Sequence, residues 1–316
     1  MTLRVLDAGP LTTVQDLGRS GWRHLGVPLA GALDPRAAAL ANRLAGNPDA
    51  AALLEFTLAG PRLAFGRPVR VALTGGPADV RFRGRDGRRH ALHAGRPVLL
   101  PPGELHVRAL LSGARGWLAV AGGLDVPEVL GSRSTDLRGG FGGVDGRALR
   151  EGDRLDLVHP PELQALQPVA PGWWIDPAAG EEPGAPLRFV PAAGTDPRQL
   201  ARTRWTASPH SNRQGIRLAG KPLPEAGPQQ PSAPVAPGTL QLPPDGLPIV
   251  LLADAQTVGG YRRLGYVIAA DLPRLAQVRP GDALWLQPCD AAEAARRLAA
   301  SRARWARIGL ALEARR

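Results

Sequence analysis

Four stretches of the chain concentrate polar side chains and glycine beyond what packing requires. The densest begins Gln241-Leu242-Pro243-Pro244-Asp245-Gly246-Leu247-Pro248, crosses the apolar run 249–253, and ends Asp254-Ala255-Gln256-Thr257-Val258-Gly259-Gly260-Tyr261. An apolar strand ending in Asp254, Gln256 and Thr257 would deliver a carboxylate, an amide and a hydroxyl to one place. Strand alternation would turn Asp254 and Gln256 to the same side if the strand continued. Gly259-Gly260 adds a candidate nest of backbone N–H groups for an oxyanion.

The second stretch, Thr12-Thr13-Val14-Gln15-Asp16-Leu17-Gly18-Arg19, leads through Gly26 to Gly31-Ala32-Leu33-Asp34. Gln15, Asp16 and Arg19 set a neutral amide, an acceptor and a bidentate donor close together. They suit a polar ligand or a self-satisfied loop in which Asp16 pairs with Arg19. In the third, Ser208-Pro209-His210-Ser211-Asn212-Arg213-Gln214-Gly215, Ser211 and Asn212 precede a guanidinium fork that matches a carboxylate or an amide. The rival reading is a polar turn entering a strand over 215–218. Last come two strand-end diglycines, Gly75-Gly76 and Gly122-Gly123, which either bring backbone donors to a ligand or simply turn the chain.

Other chemistries are missing from the sequence. Cys289 is the only cysteine, with no partner for a disulfide or a zinc knuckle. The six histidines include no His-Glu-x-x-His, and His90, His93 and His106 read as solvated or core-edge side chains rather than a metal set. The only lysine lies in Gly220-Lys221-Pro222, so there is no Walker-type phosphate loop. Met1 is the only methionine, which excludes a biotin-carrying lysine flanked by methionines. Gly-x-Ser-x-Gly is absent too. No metal and no covalently bound cofactor is expected; catalysis would fall to carboxylates, amides, hydroxyls, arginines and backbone donors.

What must position these groups is mainly β structure. The 33 prolines exclude long helices as the main architecture, and short β-type runs recur at 69–73, 80–83, 117–120, 249–252 and 283–286. Three helices stand out. Asp34-Pro35 caps and opens one that Gly46-Asn47 closes. Asp271-Leu272-Pro273 opens a short one near Leu275, and a third runs from about Asp290 to the end. This last helix lines up Leu298, Trp305, Ile308 and Leu312 opposite seven arginines, and is expected to pack on its own domain rather than on a membrane.

With 316 residues, 44% hydrophobic and 21% charged, the chain is globular and long enough for two domains. Its formal charge of +11 is carried almost wholly by arginine, and aromatic residues reach only 4%. Scattered arginines with few stacking platforms argue against nucleic-acid binding. No segment is apolar enough to span a bilayer or serve as a signal peptide, so a soluble, cytoplasmic chain is expected. Leu3-Arg4-Val5-Leu6 recurs as Leu187-Arg188-Phe189-Val190, and Gly152-Asp153-Arg154-Leu155-Asp156-Leu157 as Gly281-Asp282-Ala283-Leu284-Trp285-Leu286. That order predicts two related β domains, at 1–160 and 187–290. A proline- and alanine-rich linker at 161–186, anchored by Trp173-Trp174, would join them, and a helix at 291–316 would follow.

The stretches in order resemble the KipA-like family, also called the C subunit of 5-oxoprolinase or allophanate hydrolase subunit 2. The resemblance rests on Thr12 through Arg19, Gly31-Ala32-Leu33-Asp34, Ala41-Asn42-Arg43-Leu44-Ala45-Gly46-Asn47 and Val129-Leu130-Gly131-Ser132-Arg133-Ser134-Thr135. It continues through Ser211-Asn212-Arg213, residues 241–248 and 253–261, and Ala270-Asp271-Leu272-Pro273-Arg274-Leu275-Ala276-Gln277. The resemblance implies two cyclophilin-like β-barrel domains in tandem. Its partners would be the KipI-like B and the A subunits of 5-oxoprolinase, for ATP-dependent opening of 5-oxoproline to L-glutamate, with ATP used on a partner. The same two-barrel build is similar to the carboxyltransferase part of urea carboxylases, and KipA-like proteins also act as regulators that bind a KipI-like kinase inhibitor. The chain departs from the family where Ala255 replaces an arginine and Arg262 a proline.

Both enzymatic readings take a small amide substrate. On this view backbone N–H groups near Gly259 and Gly260, helped by Gln256 or Thr257, would hold the amide oxygen. Asp254 would accept the substrate N–H or act as general base. Arg213, with Arg19, would hold a carboxylate. Gln15, Asp16, Ser211, Asn212, Gln241 and Tyr261 complete the expected binding set.

Overall fold

Strand alternation is visible from the first element. In Thr2–Asp7 the side chains of Leu3 and Val5 are buried while Arg4 is exposed, as expected for a sheet with one face on a core. The computed structural model describes residues 1–175, 184–224 and 231–315. They form two compact units, residues 1–19 with 30–175, and residues 20–29 with 184–315.

The first unit has a seven-stranded and a five-stranded sheet. The larger runs in the order Leu124–Asp125, Arg154–Leu157, Thr2–Asp7, Arg62–Phe65, Gly103–Leu110, Ala78–Gly84, Arg89–Leu92. The smaller runs Thr12–Gln15, Leu53–Thr57, Arg115–Val120, Val69–Gly75, Pro97–Leu100. One apolar core joins them, with Leu3 and Phe82 from the larger sheet meeting Phe56 and Leu118 from the smaller. Helix Pro35–Ala45 lies against the Val69–Gly75 and Arg115–Val120 strands. Its ends are those the sequence predicts. The Asp34 carboxylate accepts from the N–H groups of Arg36 and Ala37 at 3.0 and 3.1 Å, and Gly46 turns left-handed at φ 90°.

In the second unit an eight-stranded sheet runs Ala283–Leu284, Trp205–Ala207, Gly215–Ala219, Ile249–Leu251, Thr239–Leu242, Arg262–Val267, Leu187–Pro191, Leu286–Pro288. The first and last of these are one stretch of chain interrupted only at Trp285, so the sheet comes round nearly to a closed barrel. Closure leaves few free edges. Helix Ala291–Glu313 starts on Asp290, whose carboxylate accepts from Glu293 N–H at 2.6 Å. It packs on Leu187–Pro191, with Leu312 buried and Leu298, Trp305 and Ile308 half-buried.

Three features differ from the sequence expectation. Residues 20–29 belong with the second unit. Residues 161–175, expected as linker, lie along the first: Val169 exchanges backbone hydrogen bonds with Leu99 at 2.8 and 2.9 Å, and Ile175 N–H donates to Gly95 at 2.7 Å. This strap covers the open edge of Pro97–Leu100, and the Trp174 ring lies 5.6 Å from the Arg96 guanidinium. Residues 176–183 of that expected linker lie outside the described residues. Finally, the suspected repeat is not reproduced in strand pairing. Thr2–Asp7 pairs antiparallel with Arg154–Leu157, but Leu187–Pro191 pairs parallel with Leu286–Pro288.

Candidate functional site

In the second unit the site is built on Thr239–Leu242, a strand whose four residues are all buried. Gln241 pairs there with Ile249 on one side and Arg263 on the other. Its Oε1 accepts from Gln256 Nε2 at 3.4 Å. Its Nε2 is buried with no hydrogen-bond partner among the described residues. A buried amide that cannot make its bonds is costly, so this donor calls for a partner that a ligand or an ordered water can supply. Gly259 makes room for it: a Cβ at 259 would stand 2.6 Å from Gln241 Nε2.

The apolar strand ends at Leu251, two residues earlier than the sequence suggests. The N–H of Ala255 then donates to Leu252 O at 3.1 Å, a turn that takes Asp254 and Gln256 out of strand alternation. Asp254 turns inward, where Arg213 grips it with Nε to Oδ2 at 2.8 Å and Nη2 to Oδ1 at 2.9 Å. Both residues are at most 5% exposed. The two residues expected as base and carboxylate holder thus meet as a buried pair that fixes the loop. Asp254 N–H donating to Arg213 O at 3.2 Å, and Leu252 N–H to Gln214 O at 2.9 Å, tie the same segments together.

The expected oxyanion nest at Gly259-Gly260 is not formed. A nest alternates right- and left-handed residues, and neither glycine has a positive φ; Gly259 pairs instead with Ala233 in a short ladder. Thr257 is buried, and its carbonyl accepts from Val235 N–H at 3.0 Å. Val235 in turn accepts from the guanidinium of Arg23, whose pKa is lowered by burial, so residues 20–29 reach this loop. Ala255 is buried against Val235 and Leu251, so its side chain is part of a small apolar cluster.

Ser211 and Asn212 serve the turn into Gly215–Ala219. The Ser211 hydroxyl accepts from Arg217 N–H at 3.1 Å, and Asn212 Oδ1 from Gln214 N–H at 2.8 Å. Tyr261 is exposed. Thus the structure brings Arg213 to Asp254, and Gln241 to Gln256 and Gly259, while leaving Ser211, Asn212 and Tyr261 to other tasks.

The first unit holds a second polar cluster. Gln15 is fully buried, with Nε2 donating to Thr13 Oγ1 at 3.0 Å and to Thr135 O at 3.3 Å. Its Oε1 is buried without a hydrogen-bond partner among the described residues. Asp16 spends its carboxylate on the protein itself. It accepts from the N–H groups of Gly18 and Arg133 at 2.8 and 2.6 Å, and from the hydroxyls of Ser132 and Ser134 at 2.6 and 2.5 Å. The buried Arg19 guanidinium donates to Ser134 O at 2.5 Å and lies 4.8 Å from the Phe141 ring. Asp16 and Arg19 thus tie residues 129–141 to the Thr12–Gln15 strand.

Glu55 was not singled out by the sequence, and it is a deeply buried carboxylate of the first unit. At 3% exposure it accepts from Leu33 N–H at 2.8 Å and Trp117 Nε1 at 2.9 Å, with Arg115 at 3.6 Å. A lone acid inside Leu53-Leu54-Glu55-Phe56 was the available signal. The Asp34 carboxyl has its pKa raised, burial outweighing Arg36 and the helix N–H groups. The diglycines are turns: a Cβ on Gly76 would meet Ser112 O at 2.1 Å, and Gly122 N–H donates to Asn47 Oδ1 at 2.8 Å.

Each of the two β units carries a buried glutamine on one of its strands, Gln15 in the first and Gln241 in the second. The chain belongs to the family described as carboxyltransferase domain, subdomain A and B, whose model matches residues 25–288. It is 38% identical to the C subunit of 5-oxoprolinase from Escherichia coli over 92% of this chain and 93% of that one. The crystal structure of TTHA0988 matches with a TM-score of 0.77 at 36% identity over 90% of this chain, which spans 56% of that one. The K. lactis urea amidolyase structure matches with a TM-score of 0.79 at 28% identity over 93% of this chain and 19% of that one. Among the described residues no group of three or more His, Cys, Asp or Glu is placed to hold a metal ion, and no helix is long and apolar enough to cross a membrane.

Proposed function

We propose that this chain is the C subunit of an ATP-dependent 5-oxoprolinase in the cytoplasm, opening 5-oxoproline to L-glutamate together with A and KipI-like B subunits. The observation that carries the reading is the near end-to-end similarity to the E. coli protein of that name. Ring opening adds water oxygen to the lactam carbon, breaks the C–N bond and leaves the nitrogen with an added proton. Negative charge collects meanwhile on the carbonyl oxygen. The free Nε2 of Gln241 is suited to donate to that oxygen, with Gln256 holding the amide in place and Gly259 leaving it space. The Arg213–Asp254 pair fixes the loop that carries Gln256. ATP is used on one of the partners.

The test is reconstitution. This chain and its purified A-type and B-type partners, given ATP and 5-oxoproline, are expected to form glutamate; no glutamate would overturn the proposal. In the active complex Gln241→Leu should lower turnover about 100-fold, the usual effect of deleting one oxyanion donor. Its urea midpoint should fall only slightly, because the lost donor had no protein partner and the bond that Oε1 accepts from Gln256 is long, at 3.4 Å. Equal loss of stability and activity would assign Gln241 to the fold instead.

A second reading has support in the family model and in the urea amidolyase match. In it the chain is a carboxyltransferase-type component that acts on urea or a related amide. Turnover that requires a biotin-bearing protein and bicarbonate would favour it.

A further inference from the structure

The outer face of the seven-stranded sheet carries a groove of about 540 Å³ lined by arginine, on strands that hold none of the expected site residues. Register explains its charge. Arg62, His106 and Arg81 stand side by side on three neighbouring strands, and on the next rung Glu104, Arg83 and Arg89 do the same. Arg108 follows His106 on the same face. Like charges close together on a sheet face destabilise it, so an anion laid across the Arg62–His106–Arg81 rung would add to the relief that its carboxylate partners give.

Two carboxylates orient the guanidiniums rather than quench them. Glu104 bridges Arg62 at 2.7 Å and Arg83 at 2.9 Å, and Asp79 bridges Arg81 at 2.6 Å and Arg108 at 3.1 Å. Five arginines against Asp7, Asp79 and Glu104 leave an excess of two positive charges, and no ion pair engages Arg89 among the described residues. The pKa of His106 is lowered, by burial first and then by Arg62. Adjacent strands are about 4.8 Å apart, so the rung presents the Arg62 and Arg81 guanidiniums roughly 10 Å apart with the His106 imidazole between them. That spacing suits a compact anion with two or three charged groups in a row.

We propose that this face is a binding site for an oligophosphate group, held by Arg62, Arg81, Arg83, Arg89 and His106. Guanidiniums fork onto phosphate oxygens, and a di- or triphosphate puts more charge within the length of the rung than side-chain carboxylates on an extended peptide do. Next to His106 stand Arg62, Arg81 and Arg108, with Asp79 and Asp7 as the nearby acids. A bound anion would favour its protonated form, so binding should tighten as pH falls through the His106 pKa. The proposal assigns no ATP hydrolysis to this face and is independent of the 5-oxoprolinase reading.

Isothermal titration of the whole chain with inorganic tripolyphosphate tests it, at low and at 0.15 M salt. We expect saturable binding, weaker at the higher salt, and about 30-fold weaker in Arg81→Gln/Arg89→Gln, in line with the loss of charge-assisted bonds. Arg302→Gln/Arg307→Gln, which removes the same charge from the C-terminal helix, should bind as wild type. A nucleoside triphosphate that binds as tripolyphosphate does would identify the free anion as the ligand, and tighter binding would identify a carried one. No saturable binding, equal weakening in both double variants, or tighter binding of poly-glutamate than of tripolyphosphate would each overturn the proposal.

Discussion

Asp254→Ala is expected to remove about 3–5 kcal/mol from the stability of the second unit, because it strands the Arg213 guanidinium in a buried site. Glutamate formation by the reconstituted complex should fall to background with it. That loss alone does not tell a positioning pair from a group that touches substrate, but replacing both members does. Arg213→Met/Asp254→Leu removes both charges together, and exchanging a buried pair for apolar side chains is often nearly neutral. Urea unfolding of the double variant should return to within about 1 kcal/mol of wild type. If the pair only fixes the loop, turnover should recover to within about tenfold. Recovered stability without recovered turnover would show that Asp254 or Arg213 meets the substrate directly.

How far the sequence could be read depended on how local the deciding interaction was. Helix Pro35–Ala45 was legible to the residue because Asp34, Pro35 and Gly46 act within one turn of each end. The strand runs were legible because alternation is a property of neighbours. Local density of polar residues points to Gln241 and Gln256, and the structure adds that one reaches the other. Asp254 was placed on the expected segment with the wrong direction, since a strand's last residue is set by the turn after it rather than by its own apolar run. The diglycine at 259–260 misled because glycine permits a left-handed φ without requiring one. The membership of residues 20–29 and the strap at 161–175 could not be read at all. Each depends on hydrogen bonds between residues far apart in sequence, such as Arg23 to Val235 or Val169 to Leu99. The partners of Glu55 are hidden from the sequence for the same reason: Arg115 and Trp117 lie some sixty residues downstream.

Asp16→Ala decides whether the polar cluster of the first unit belongs to the fold or to a ligand. The substitution leaves two backbone N–H groups and two serine hydroxyls without their shared acceptor. Hydrogen bonds to a charged group contribute about 1.5–3 kcal/mol each, and the hydroxyls can turn to other partners, so a net loss of about 3 kcal/mol is expected. The damage should be local before it is global. Thr135 N–H donates to Val14 O at 2.9 Å and Thr135 O holds the Gln15 amide at 3.3 Å, both beyond the segment Asp16 clamps. Hydrogen exchange at the Thr135 amide should therefore accelerate in Asp16→Ala, while the Val250 amide in the second unit keeps its protection. Asp16→Asn, which retains an acceptor for part of the set, should show a smaller change in the same direction. Unchanged exchange at Thr135, together with weakened binding of 5-oxoproline by the complex, would move Asp16 from the framework to the ligand.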